Sequence, residues 1–281
     1  MFPFGSGAAE HRIKSRTEPE PNRNAEQEQE PEHEQEHEPR TQNWEPERQG
    51  RRLPLLSIIV PVFNEALTVR TVLDRLVTME LPVAREVLIV DDGSTDGTRE
   101  VLETAMRDGL PVTVIHAARN GGKGSAIRLG LQQARGSIVA IQDADLELDP
   151  RQLASLVQPI LIGEADVVYG SRFLHGRTQA PWVNVAANRL LTGLTNVLYG
   201  SRLTDMETCY KVMRIEIARS LGLTANRFDI EPEITSKLLR RGHRIHELPV
   251  RFDPRSRAQG KKIGWHDGIR AISVLMSNRF R

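Results

Sequence analysis

REVLIVDDGSTDGT, residues 85–98, begins with a charged pair, passes into an apolar run from Val87 to Val90, and stops in an acidic, glycine-containing turn. A strand that is apolar on successive residues is buried on both faces, the habit of parallel sheets covered by helices. The flanking segments repeat the theme. LLSIIVPVFN (55–64) is a second such run. After it, Val69, Val72, Leu73, Leu76 and Val77 recur at three- and four-residue spacing and predict a helix with one apolar face. Thr98 to Arg107 reads as the next helix, PVTVIHA (111–117) as a strand, and Ser125 to Ala134 as a helix ending near Gly136. SIVAIQDAD (137–145) is a further strand, Pro150 opens another helix, and ADVVYGSRF (165–173) is the fifth strand. This alternation predicts βαβ crossovers and an α/β fold, a mostly parallel sheet with helices on both faces. Ligands of such sheets sit beyond the carboxyl ends of the strands.

Beyond Phe173 the pattern changes. VNVAANRLLTGLTNVLYG (183–200) predicts a largely apolar helix dotted with Asn, Arg and Thr, and two readings stay open: a core-packing helix, or one lining an acceptor or a membrane surface. LTDMETCYKVMR (203–214) reads as a turn and a short strand. Ile230, Ile234, Leu238 and Leu239 form a helical stripe, and HRIHELPVRF (243–252) alternates as a strand. From Trp265 to Phe280, Ile269, Ile272, Leu275 and Met276 stand at helical spacing.

The chain has 281 residues and a net charge of +1. Residues 1–52 hold 8 basic against 12 acidic residues, and the rest holds 30 against 25. The first segment is rich in Glu, Gln and Pro and poor in aliphatic side chains. Such a composition does not offset the entropy of ordering, so residues 1–52 are expected to be a disordered acidic tail. The folded domain is expected over 53–281, in two halves, 53–175 and 176–281, the second ending in the C-terminal helix. No signal peptide and no membrane-spanning run is expected. One cysteine, Cys209, excludes an internal disulfide and points to a reducing compartment. Basic residues not interleaved with aromatics disfavour nucleic acid.

Four motifs fall at predicted strand ends. QDADLELDP (142–150) carries four carboxylates in nine positions. Asp143 and Asp145, two apart in an extended chain, would point the same way and could converge on Mg²⁺ or Mn²⁺, with Glu147 as a third oxygen donor. A capped turn is the competing reading, and Asp149-Pro150 is a cap signal. Asp91 and Asp92 are acceptors suited to a base or ribose, or ordinary turn residues. NGGKGS (120–125) opens a helix where glycines and Lys123 favour an anion, although it is not a P-loop. Arg172 would grip a phosphate or form a salt bridge. Arg255, Arg257, Lys261 and Lys262 form a basic loop, either a solvated face or a cover over a phosphate site.

Taken in order, VPVFNE (60–65), DDGSTDGT (91–98), NGGKGSAIRLG (120–130), QDADLELDP, YGSRF (169–173), TDMETCYKV (204–212), FDIEPEI (228–234) and HELPVRF–RSRAQGKKIGW (246–265) resemble glycosyltransferase family 2. These are inverting enzymes with the GT-A nucleotide-diphospho-sugar fold, and the branch most similar is the dolichyl- or polyprenyl-phosphate hexose synthases. The resemblance implies that Pro61, Glu65, Asp91 and Asp92 hold the nucleotide. It implies that Asp143 and Asp145 bind the metal and donor diphosphate, with Glu147 where many members carry a metal-reaching Gln. Lys123, Arg172, Arg257 and Lys261 are expected at the phosphates. Asp205 and Glu207 are the base candidates if the acceptor is a hydroxyl. The implied reaction is inverting hexosyl transfer from GDP-mannose or UDP-glucose to a polyprenyl or dolichyl phosphate, aided by a divalent cation. The alternative is a soluble family 2 enzyme with a small-molecule or saccharide hydroxyl acceptor. The expected location is cytoplasmic, with peripheral contact at the cytoplasmic face of a membrane.

Overall fold

The computed structural model describes residues 53–174, 181–254 and 265–280. The expected acidic tail, Arg257 and Lys261 lie outside them. The chain runs β1 (Leu55–Val62), α1 (Val69–Thr78), β2 (Ala84–Asp91), α2 (Thr98–Arg107), β3 (Thr113–His116), α3 (Lys123–Gln133) and β4 (Ile138–Ile141). A 3₁₀ turn at Pro150–Gln152 leads into α4 (Leu153–Leu161), then β5 (Val167–Ser171), α5 (Trp182–Tyr199), β6 (Lys211–Arg214) and α6 (Ile215–Ser220). The described part closes with α7 (Ile230–Arg240), β7 (His246–Pro249) and α8 (Trp265–Phe280).

Seven strands form one sheet in the order β3-β2-β1-β4-β6-β5-β7. Pairings β1–β2, β1–β4, β2–β3 and β5–β7 are parallel, and β6 alone runs antiparallel, between β4 and β5. Successive residues Leu56 to Val60 are all buried, so helices cover both faces of β1. Helix α3 lies so close that a Cβ on Gly130 would stand 2.6 Å from Ile59 Cγ2. The chain leaves β1 toward β2 and β3 on one side and returns as β4 on the other. The reversal opens a crevice at the carboxyl ends of β1 and β4, the usual ligand position in open α/β sheets.

One detail departs from the sequence reading. Strand β4 stops at Ile141, so the alternation argument for Asp143 and Asp145 does not apply. The chain turns at once, and Leu146 takes a left-handed φ of 62°. On α8 the expected stripe is only partly buried. Ala271 and Leu275 face inward, whereas Ile269, Ile272 and Met276 are exposed.

Candidate active site

The loops after β1, β2 and β4 are tied to one another. Asn64, at a left-handed φ of 55°, receives a hydrogen bond at Oδ1 from Thr95 N (2.8 Å) and donates its own N–H to Ser94 Oγ (3.0 Å). Glu65 N donates to Thr98 Oγ1 at 2.9 Å. The Thr68 hydroxyl lies 2.9 Å from Glu65 Oε2 and 2.8 Å from the Ala144 carbonyl, joining the first loop to the Asp-Ala-Asp turn. Pro61 lies in the last turn of pleat of β1, opposite Val90.

The acidic pair after β2 organises its surroundings. Asp91 is fully buried, accepts from Ser94 N and faces His116 Nδ1, both at 2.9 Å. Burial alone would raise its carboxyl, but the hydrogen bonds from Ser94 and His116 outweigh that and hold it below the usual range. Asp92 accepts from Gly121 N (2.9 Å) and Gly122 N (2.6 Å), and burial pushes its carboxyl up despite those donors. A carboxylate has about four acceptor positions, so these bonds leave capacity for a ligand hydroxyl without requiring one. Gly93, with φ at 72°, brings this turn against Arg119 and Asn120.

The NGGKGS loop differs in detail from its expected form. Gly122 has φ at 92°, and a Cβ there would stand 2.5 Å from the Asn226 carbonyl. Its neighbour on this side is therefore the 225–227 segment. Arg128 fastens the same segment from α3, donating to the Thr224 carbonyl at 2.7 Å. Lys123 is largely buried, its side chain 12% exposed, and its Nζ lies 2.8 Å from both Asp143 Oδ1 and Glu231 Oε1. Burial would lower its affinity for a proton, but the adjacent carboxylates, Asp143 first, hold the ammonium well above its ordinary value.

The turn carrying Asp143 and Asp145 rests on Gln142. That buried amide donates to the Asp143 carbonyl (2.9 Å) and accepts from the Tyr210 hydroxyl (2.7 Å). Asp145 Oδ1 accepts from Glu147 N at 3.1 Å. Asp149 caps the following turn by accepting from Arg151 N. Among the described residues no three His, Cys, Asp or Glu side chains are grouped as a metal would need. Asp143 and Asp145 carry carboxylate oxygens, the hard donor type that Mg²⁺ and Mn²⁺ prefer, and those ions complete their shells with water and phosphate oxygens.

On the other side of the crevice two of the expected residues pair with each other. Arg172 is bidentate to Asp205, Nε to Oδ2 at 2.7 Å and Nη2 to Oδ1 at 2.8 Å, and its backbone N–H also donates to Oδ2. Its guanidinium lies 5.3 Å from the Phe252 ring centre. Of the two readings for Arg172, the salt bridge is the one seen. Asp205 is fully buried and takes a further bond from Asn188 Nδ2 (2.9 Å). Glu247 holds the same loop through Thr204 N and Asp205 N.

Glu207 differs. The residue is half-buried, its Oε1 is buried without a hydrogen-bond partner, and desolvation, aided by the nearby Glu231, raises its carboxyl to about 7. Beneath it Lys211, fully buried, reaches Glu231 Oε2 at 2.5 Å, the Met206 carbonyl at 3.2 Å and the Thr208 carbonyl. Glu231 thus bridges two lysines, one from α3 and one from β6, although its Oε1 contact to Lys123 is an ion pair without hydrogen-bond alignment. Sequence reasoning missed Gln142, Asn188, Lys211, Glu231 and Glu247 as site builders. Gln142, Lys211, Glu231 and Glu247 carried a signal, as polar or charged residues inside the QDADLELDP, TDMETCYKV, FDIEPEI and HELPVRF segments, and Asn188 carried none.

Comparison with known proteins gives a consistent picture. Residues 57–222 match the family described as glycosyl transferase family 2. A dodecaprenyl-phosphate galacturonate synthase of Rhizobium johnstonii is 30% identical over 80% of this chain and 66% of its own length. An undecaprenyl-phosphate mannosyltransferase of Micrococcus luteus is 29% identical over 77% of this chain and 90% of its own. The chain spans 64% and 33% of two further curated relatives, so it covers less than two thirds of these and of the Rhizobium enzyme. Among solved structures, glucosyl-3-phosphoglycerate synthase from Mycobacterium tuberculosis, crystallised with Mn²⁺, UDP and its product, superposes with a TM-score of 0.62. It is 21% identical and each chain is covered to 80%, a likeness of fold, and that fold is GT-A.

Proposed function

This chain belongs to glycosyltransferase family 2, and we propose that it moves a hexose from a nucleotide-diphosphate sugar to a polyprenyl phosphate, inverting the anomeric centre. The observation that carries the reading is the convergence of Glu65, Asp91, Asp92, Asp143 and Asp145 on one crevice, cross-linked by Thr68, Lys123 and the glycine loop. The names of the relatives support a lipid-phosphate acceptor.

In this reading Pro61, Glu65, Asp91 and Asp92 bound the nucleotide pocket. Asp143 and Asp145, with Glu147 near, would hold Mg²⁺ or Mn²⁺, which when bound neutralises diphosphate charge and eases its departure. Lys123 keeps Asp143 oriented and adds positive charge behind the diphosphate. A phosphate monoester acceptor is already anionic at neutral pH and attacks without a strong base. The protein must then align two anions, and Arg257 and Lys261 are assigned to that task. Arg172 keeps the acceptor loop in place through Asp205.

One observation favours the hydroxyl-acceptor alternative: Glu207, a buried carboxyl near neutrality with an unpaired oxygen, has the properties of a general base. A transfer assay separates the two. The full chain is given GDP-mannose or UDP-glucose with Mn²⁺ or Mg²⁺, and either a detergent-dispersed polyprenyl phosphate or a soluble saccharide. Labelled sugar in the lipid phase is the expected result. Label only in the soluble acceptor would refute the lipid reading.

A further inference from the structure

Two ammonium groups and two carboxylates form one chain of contacts behind the Asp-Ala-Asp turn. Lys123, which opens α3, touches Asp143 Oδ1 and Glu231 Oε1, each at 2.8 Å. Glu231 stands in the first turn of α7, is 3% exposed, and meets Lys211 Nζ of β6 with its other oxygen at 2.5 Å. Lys211 is fully buried, donates to the Met206 and Thr208 carbonyls, and lies 4.8 Å from the Tyr169 ring centre. It is therefore anchored independently of Lys123, and it anchors Glu231 in turn. The four charges cancel, which is the condition for burying such a set.

An ammonium against Asp143 competes with any divalent cation for that carboxylate, and the two cations repel strongly at contact distance. The competition would be hardest if Asp143 were the ammonium's sole counter-charge. Glu231 prevents that. Its Oε1 is buried, has no aligned hydrogen bond, and lies as near Lys123 Nζ as Asp143 Oδ1 does. Among the described residues no other carboxylate pairs with Lys123. Among the same residues Glu231 does not join Asp143 and Asp145 in a set of three acids able to hold a metal.

We propose that Glu231 is a positioning residue that holds the Lys123 ammonium when a divalent cation takes the Asp143 carboxylate. It acts through Lys123 and is not a ligand. Lys123 thereby keeps its charge near the diphosphate without blocking the cation. Because Lys211 fixes the Met206 and Thr208 carbonyls, the same carboxylate links the donor side of the crevice to the 204–210 loop. The inference rests on Asp143 and Asp145 as the cation site of the proposed reaction.

Mn²⁺ is titrated into the full chain, without donor or acceptor, and the free ion is read by electron paramagnetic resonance. Glu231→Gln is expected to raise the Mn²⁺ dissociation constant at least about tenfold, since a full counter-charge in contact with Lys123 is lost. Lys123→Met removes the competitor, and in that background Glu231→Gln is expected to change the constant by less than about threefold. Equal effects in the two backgrounds would mean a structural role, or the plain field of Glu231 on the ion, and overturn the proposal. Lys211→Met with Glu231→Gln leaves no ammonium unmatched on β6 and repeats the comparison should the single variant fold poorly. The same loss is expected, and wild-type affinity in that pair overturns the proposal. Asp145→Ala is titrated alongside. Loss of binding there, with wild-type affinity in Glu231→Gln, sinks the positioning role and leaves the cation site standing. Wild-type affinity in Asp145→Ala, or a wild-type chain that binds no Mn²⁺, sinks the cation site and this inference with it.

Discussion

Asp205→Ala separates a residue that holds the site together from one that performs chemistry. The Asp205 carboxylate accepts four hydrogen bonds, from Arg172 N, Nε and Nη2 and from Asn188 Nδ2. The alanine variant leaves the Arg172 guanidinium mostly buried beside Phe252 and Phe173 with no counter-charge of comparable geometry. Breaking a buried ion pair from one side costs about 3–5 kcal/mol. At about 2–4 °C per kcal/mol for a domain of this size, the melting temperature should fall by about 6–20 °C. Asp205→Asn keeps one acceptor oxygen and should lose less. Were Asp205 a general base, its removal would cost about 10²–10⁴ in rate with little change in stability. Thermal unfolding followed by circular dichroism, with turnover measured well below the transition, distinguishes the two. A variant that melts within about 2 °C of the wild type yet loses turnover would refute the positioning role.

Three further outcomes are expected. Asp145→Ala should abolish divalent-ion-dependent turnover and shift the melting temperature little, since its described bond is a local one to Glu147 N; full activity would remove Asp145 from the metal site. Glu207 has a folded pKa of about 7 against an ordinary 4.5, so the folded state binds the extra proton between those values. Stability is therefore complete below about pH 4.5, falls as pH rises toward 7 by up to about 3 kcal/mol, and is level above. Glu207→Gln should flatten that slope in melting curves taken across the range, and an unchanged slope would contradict the assignment. Gly122→Ala combines a left-handed backbone with a Cβ 2.5 Å from the Asn226 carbonyl, and should destabilise by more than about 1 kcal/mol in urea unfolding.

The strands and helices of the first half were legible because their signals are local. The run Val87–Val90 and the spacing of Val69, Val72, Leu73 and Leu76 reappear as β2 and α1 within a residue or two. The extension of β4 through Asp145 was not, because Gln142 bonds the Asp143 and Leu148 carbonyls and bends the chain after Ile141. On α8 the periodicity was correct, and the spacing left open what it meets: Leu275 faces inward, whereas Ile269, Ile272 and Met276 point outward. Periodicity shows that a stripe exists, and only neighbouring elements decide what it meets.

The sequence by itself determined which segments are buried strands, and so that the acidic and glycine motifs stand at strand ends where an α/β sheet binds ligands. It did so because burial and turn formation are written in residues a few positions apart. Tertiary structure alone decided the partners: Lys123 between Asp143 and Glu231, Arg172 locked to Asp205, Asp92 holding the glycine loop, and Glu207 left with an unpaired oxygen. Those choices depend on which strands lie side by side. The insertion of antiparallel β6 between β4 and β5 brings Lys211 and the 204–210 loop under the crevice, and no local pattern in the chain encodes that adjacency.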